Sequence, residues 1–156
     1  MATTTEPVEQ PAQVRPRRGF GVARWILRVL ILITAVLLAL QPVSIGEYLS
    51  GRYNMLGMHS AVATGAMAAA FFLVLAAIGY TLLGGRVWVM VASIALLFAV
   101  VLQLGMGYSR TLAVHIPLGV AIVGGAIVLA VFCCTPAFSR FRTPRAERPA
   151  GKEGDR

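Results

Sequence analysis

The chain has 156 residues, 58% hydrophobic and 13% charged, about half the charged fraction of an ordinary soluble domain. Its formal charge of +8 would suit a nucleic-acid partner, but the basic residues gather at the two chain ends, which excludes that reading. Only Glu47, Arg52, Arg86 and Arg110 are ionised between Val29 and Phe138, and they delimit four uncharged runs. Each run can hold a membrane-spanning helix of about 17–25 residues. No period-two alternation points to a β-barrel. The expected fold is therefore all-α, an integral membrane antiparallel four-helix bundle over 24–138, flanked by a disordered tail at 1–23 and a disordered basic tail at 139–156.

In chain order, the first helix is expected from about Trp25 to Gln41. Pro42 lacks a backbone donor and biases its predecessor away from helix, so it should end there. The long basic region before this helix and the lack of a small-x-small site after it mark an uncleaved anchor. Residues 43–58, "VSIGEYLSGRYNMLGM", are expected as the longest loop, at the outer interface. Helix two follows from about Leu56 to Leu83, "GGR" at 84–86 makes a tight turn, and helix three runs from about Val87 to Leu104. "GMGYSR" at 105–110 is the second outer loop. Helix four runs from about Leu112 to Cys134, with Thr111 as its cap and Pro117 in or near its first turn. Tyr48, Tyr53 and Tyr108 are expected at the outer headgroup level, and Trp25, Tyr80, Trp88, Phe138 and Phe141 at the inner one.

Twelve of the fourteen Lys and Arg residues fall with the two termini and the Arg86 turn; Arg52 and Arg110 fall in the other loops. By the positive-inside rule both termini are cytoplasmic. Thirteen Arg against one Lys, with abundant Ala, Gly and Val, points to a GC-rich bacterial genome, and so to a bacterial inner membrane. The bilayer is then the first partner, and a second copy or a respiratory or assembly protein is a further one. Cys133 and Cys134 are adjacent, without other cysteines to pair with, and are read as small membrane-buried hydrophobes.

Two histidines give the chain its candidate chemistry. Gln41 ends the first helix and His59 begins the second; Gln103 ends the third and His115 begins the fourth. The spacings differ, 18 residues against 12, so the two halves are an imperfect repeat. Helices two and four run in the same direction and are diagonal in an up-down bundle, so the two imidazoles share a depth and can face each other. Ionisable groups inside membrane spans are functional candidates. A pair of histidines suits the axial positions of one haem b, with Arg52 and Arg110 as partners for its propionates. Gln41, Gln103 and Glu47 are candidates to hydrogen-bond the outward ring nitrogens. Helix positions below each histidine are small: Ala63, Ala66 and Ala70, and Gly119, Ile122 and Ala126. Such faces admit a flat macrocycle or let bare helices pack closely. Met55, Met58 and Met106 offer a copper alternative. No catalytic set is recognisable. A cofactor-free structural or accessory subunit is the competing function. A transporter ranks below it, because no charge lies at the bilayer midplane.

The segment "LQLGMGYSRTLAVHIPLGVAIVG" resembles the third-to-fourth-helix region of the haem A synthase (cytochrome oxidase assembly) family. "LQPVSIGEYLSG" with "MHSAVA" resembles the first-to-second-helix region of the same unit. The likeness spans about residues 27–133, one four-helix unit where that family has two. It implies an antiparallel bundle with one haem-ligating histidine on each even helix, His59 and His115. One unit leaves no room for both a cofactor haem and a substrate haem, so the expected role is electron transfer or haem handling rather than synthesis.

Overall fold

The computed structural model describes residues 18–139. Most of the expected tails, including Arg15, Arg17 and the basic run from Arg140, lies outside the described residues. Four helices follow in order: α1 Phe20–Leu49, α2 Met55–Leu82, α3 Val87–Tyr108 and α4 Leu112–Cys133, with a 3-10 turn at Pro136–Ser139. No strand occurs among the described residues. All four helices are long and apolar enough to cross a membrane.

Packing reinforces that reading. Only 17–28% of each apolar window is buried within the protein, so Phe98, Val120 and Val128 stand exposed on the outer surface. A soluble monomer does not leave apolar surface on that scale in water. α1 packs on α2 and α4, and α3 packs on α2 and α4. α1 with α3, and α2 with α4, are thus the diagonal pairs.

Three helix ends differ from expectation. α1 starts at Phe20, inside the segment read as tail, because Phe20 is buried and stacks on Tyr80 at 5.4 Å between ring centroids. At its other end α1 continues through Pro42 to Leu49. Proline removes one helical donor, but in a membrane setting any non-helical path would strand more backbone groups than that. The Ser44 hydroxyl adds a local bond to the Gln41 carbonyl at 2.9 Å. Most of the expected 43–58 loop is consequently helical, and the connection shrinks to Ser50–Asn54, where Gly51 takes φ +96°. α3 likewise runs on to Tyr108. Pro117 lies inside α4, beyond its first turn, and Thr111 makes no side-chain cap, its hydroxyl meeting Ser109 instead.

At about 1.5 Å per residue, α1 and α2 are some 9–12 Å longer than α3 and α4. The 3-10 turn fills part of this gap at the end where α1 begins. It carries Phe138 back beneath Tyr80, where the rings stack at 5.4 Å and 11° and the Tyr80 hydroxyl donates to the Phe138 carbonyl. Tyr80 and Phe138 are fully buried, so they belong to the core and not to an interfacial aromatic belt. Trp25 and Trp88 remain exposed. Arg28 ties the same end together, donating from Nε to the Cys133 carbonyl at 2.9 Å and lying over Trp25 and Phe138. Phe20, Leu27, Leu73, Tyr80, Val89 and Leu129 pack in this half of the core; Leu38, Ala66, Val100, Ile122 and Ala126 pack in the other.

Candidate histidine site

The two histidines come together at the opposite end of the helices. Their ring centroids are 6.4 Å apart with planes at 60°, on the diagonal pair α2 and α4, and both are half-buried. Two imidazoles bound to one first-row metal ion from opposite sides, through bonds of about 2 Å, have ring centroids on the order of 6 Å apart.

Each histidine is clamped by a glutamine in a reciprocal pair. The Gln103 amide donates to the His115 carbonyl at 2.9 Å, and His115 Nδ1 donates back to the Gln103 carbonyl at 3.0 Å. The Gln41 amide donates to the His59 carbonyl at 3.4 Å, and His59 Nδ1 lies 3.3 Å from the Gln41 carbonyl. Ser44 joins this second clamp, its oxygen 3.1 Å from His59 Nδ1. A carbonyl can only accept, so His115 carries its proton on Nδ1; with the Ser44 hydroxyl donating to the Gln41 carbonyl, His59 Nδ1 is a donor too. In the neutral imidazole this leaves the Nε2 lone pair of each histidine available to a ligand. That is the tautomer a metal-binding histidine needs, fixed by a backbone acceptor.

The repeat between halves therefore extends to atoms. The difference in spacing, 18 against 12, falls beyond the glutamines. α1 adds three residues after Gln41 relative to α3 after Gln103, the turn adds two, and α2 adds one before its histidine. The reciprocal pairing is the same in both halves.

Glycines make room for the second clamp. A Cβ at Gly119 would lie 2.8 Å from Gln103 Nε2, and one at Gly107 would lie 3.0 Å from His115 Cε1. The buried Gln103 Oε1 has no partner among the described residues. Exchanging the amide atoms would set Oε1 against the His115 carbonyl, so the assignment stands. Gly107→Ala should press the His115 ring off its carbonyl acceptor and lower stability by about 1 kcal/mol. Gly105→Ala, whose Cβ would meet nothing within 4 Å, should leave it level or raise it. Thermal unfolding in detergent checks the pair.

The remaining candidates are not part of this cluster. Arg52 forms an ion pair with Glu47 at 2.7 Å on the exposed first turn. Arg110 is exposed in the other turn at this end, with its backbone in the left-handed region at φ 56°. Glu47 is engaged by Arg52, and the glutamines meet the ring nitrogens through their backbone carbonyls, not through side chains. Ser44 is the residue that sequence reasoning missed; its place three residues after Gln41, on the same helix face, was the available signal. Below the histidines, Ala66, Ala70, Ile122 and Ala126 are all buried, and Ala66, Ile122 and Ala126 share one packed cluster. There the small residues serve close helix contact. No group of three or more His, Cys, Asp and Glu that could hold a metal occurs among the described residues; an axial pair needs only two.

No protein-family model matches the chain, and neither a curated protein nor a solved structure is significantly similar to it.

Proposed function

We propose that the chain is a small multi-pass protein of a bacterial inner membrane that binds one haem b through His59 and His115, as an electron-transfer or haem-handling accessory. The observation that carries this reading is the paired clamp: two rings 6.4 Å apart, each with Nδ1 directed to a backbone oxygen. Bound there, haem b would supply one-electron chemistry. The protein's own contribution is to fix both imidazole tautomers and to surround them with uncharged helix. Arg52 and Arg110, on the two turns preceding the histidine helices, are the cations nearest in sequence to the pair and are proposed to meet the propionates. Arg52 would then exchange or share its bond to Glu47. The haem A synthase likeness adds the same residue assignment, resting on the quoted segments alone.

The helices are proposed to pack antiparallel with both termini cytoplasmic. Connections of three to five residues between neighbouring helices support the first point, and the concentration of arginine at the chain ends supports the second. Reporter fusions at residues 10 and 150 should read cytoplasmic, and a fusion at Gly51 external. An external C-terminus would require an odd number of spans and would overturn this topology.

A cofactor-free accessory subunit is the second reading. What favours it is that the clamps already engage both glutamine NH2 groups, the histidine carbonyls and both Nδ1 groups without any ligand. The haem content of protein purified from a haem-replete host separates the two. One haem b per chain by pyridine haemochrome assay is expected; a ratio near zero that persists after haem is added would select the cofactor-free reading.

A further inference from the structure

At the end where α1 begins, the arginines are unequally served. Arg28 is satisfied by the Cys133 carbonyl. Arg24 and Arg86 are not: the Nε of each is sealed from solvent and has no hydrogen-bond partner among the described residues. Both residues are only half-buried, so the side chains extend from a closed base to the surface. They come from different elements, Arg24 from α1, one turn after the Phe20 that stacks on Tyr80, and Arg86 from the turn before α3. Gly85 holds that turn against the Tyr80 ring.

No carboxylate among the described residues balances them. Glu47 is the only acidic residue among the described ones, and it is paired with Arg52 at the far end. Two partly buried guanidinium groups without a counter-charge are costly. They sit where the apolar spans end, at the level of lipid headgroups. Arginine's planar fork matches phosphate oxygens, and an anionic leaflet supplies such groups at high local concentration. We propose that Arg24 and Arg86 form a binding site for the phosphate of one anionic lipid. Bulk attraction between basic tails and a charged surface would not require these two residues; a stoichiometric site does.

The test uses the full chain, delipidated in neutral detergent, with thermal unfolding and native mass spectrometry as readouts. Phosphatidylglycerol should be retained at one molecule per chain. It should raise the unfolding temperature at about tenfold lower concentration than zwitterionic phosphatidylcholine. Arg24→Gln and Arg86→Gln should each weaken that effect about tenfold, whereas Arg18→Gln, an exposed neighbour, should not. Arg24→Lys and Arg86→Lys keep the charge and protect the fold. They should bind more weakly than the parent, so the proposal remains testable if a glutamine variant misfolds. Inorganic phosphate should neither protect nor compete. If it protects equally, the ligand is a soluble phosphate and the lipid assignment fails. If the wild type shows no preference for the anionic lipid, as it would if carboxylates of the chain termini occupy the arginines, or if folded Arg24 and Arg86 variants bind phosphatidylglycerol as the parent does, the site is refuted.

Discussion

His59→Ala or His115→Ala should convert a six-coordinate, low-spin haem spectrum to a high-spin one or abolish binding altogether. Each substitution removes one of the two Nε2 donors that the clamps hold 6.4 Å apart by ring centroid, and no neighbouring side chain offers a matched replacement. Arg52→Ala and Arg110→Ala should behave differently. On the proposed ligation they would leave both iron bonds intact and remove one charge-assisted contact of about 1.5–3 kcal/mol. Haem retention should fall roughly tenfold or more with the shape of the spectrum unchanged. Absorption spectra and haem-transfer rates to an excess of an acceptor protein distinguish the two classes. Histidine variants that fold and keep an unaltered chromophore would show that these residues are not its ligands.

Gly85→Ala should be the most damaging small substitution in the fold. The added Cβ would overlap the ring of Tyr80, which is fully buried, stacks on both Phe20 and Phe138 and bonds the Phe138 carbonyl. The ring cannot yield without opening the contact that closes this end of the helices. Overpacking of this kind costs about 1–3 kcal/mol, or about 2–4 °C per kcal/mol in unfolding temperature for a chain of this size. Gly79→Ala, on α2 with nothing within 4 Å of the new Cβ, should be neutral or stabilising because alanine favours helix. Equal effects of the two substitutions on thermal unfolding would contradict the packing account.

Much of this architecture is legible in the sequence because a bilayer leaves few choices. Runs without charge must be helices, and the four ionised positions between Val29 and Phe138 mark the breaks. The helix ends are less legible. Pro42 reads as a stop by its local chemistry, yet α1 runs through it, since losing one donor costs less than exposing a longer stretch of backbone in an apolar surrounding. Tyr80 reads as an interfacial ring. It becomes core because Gly85 leaves room for its ring and Phe138 returns to stack on it, and neither contact has a signature along the chain. At the site, the diagonal pairing of α2 and α4, with a histidine near the start of each, brings His59 against His115. Their acceptors were not readable, because they are the backbone carbonyls of Gln41 and Gln103. The glutamine side chains that sequence suggested as ring partners instead hold the histidine carbonyls. The glycine-rich character of "LGMGYSR" and "HIPLGV" takes a physical meaning only with the clamp in view, where Gly107 clears the His115 ring and Gly119 clears the Gln103 amide.

The reduced absorption spectrum of the detergent-purified, haem-reconstituted chain tests the central claim most directly. Ligation by both histidines predicts a Soret band with sharp α and β bands that do not change under carbon monoxide, because no coordination position is open. A broad high-spin spectrum that shifts with carbon monoxide, or a chain that takes up no haem, would contradict it.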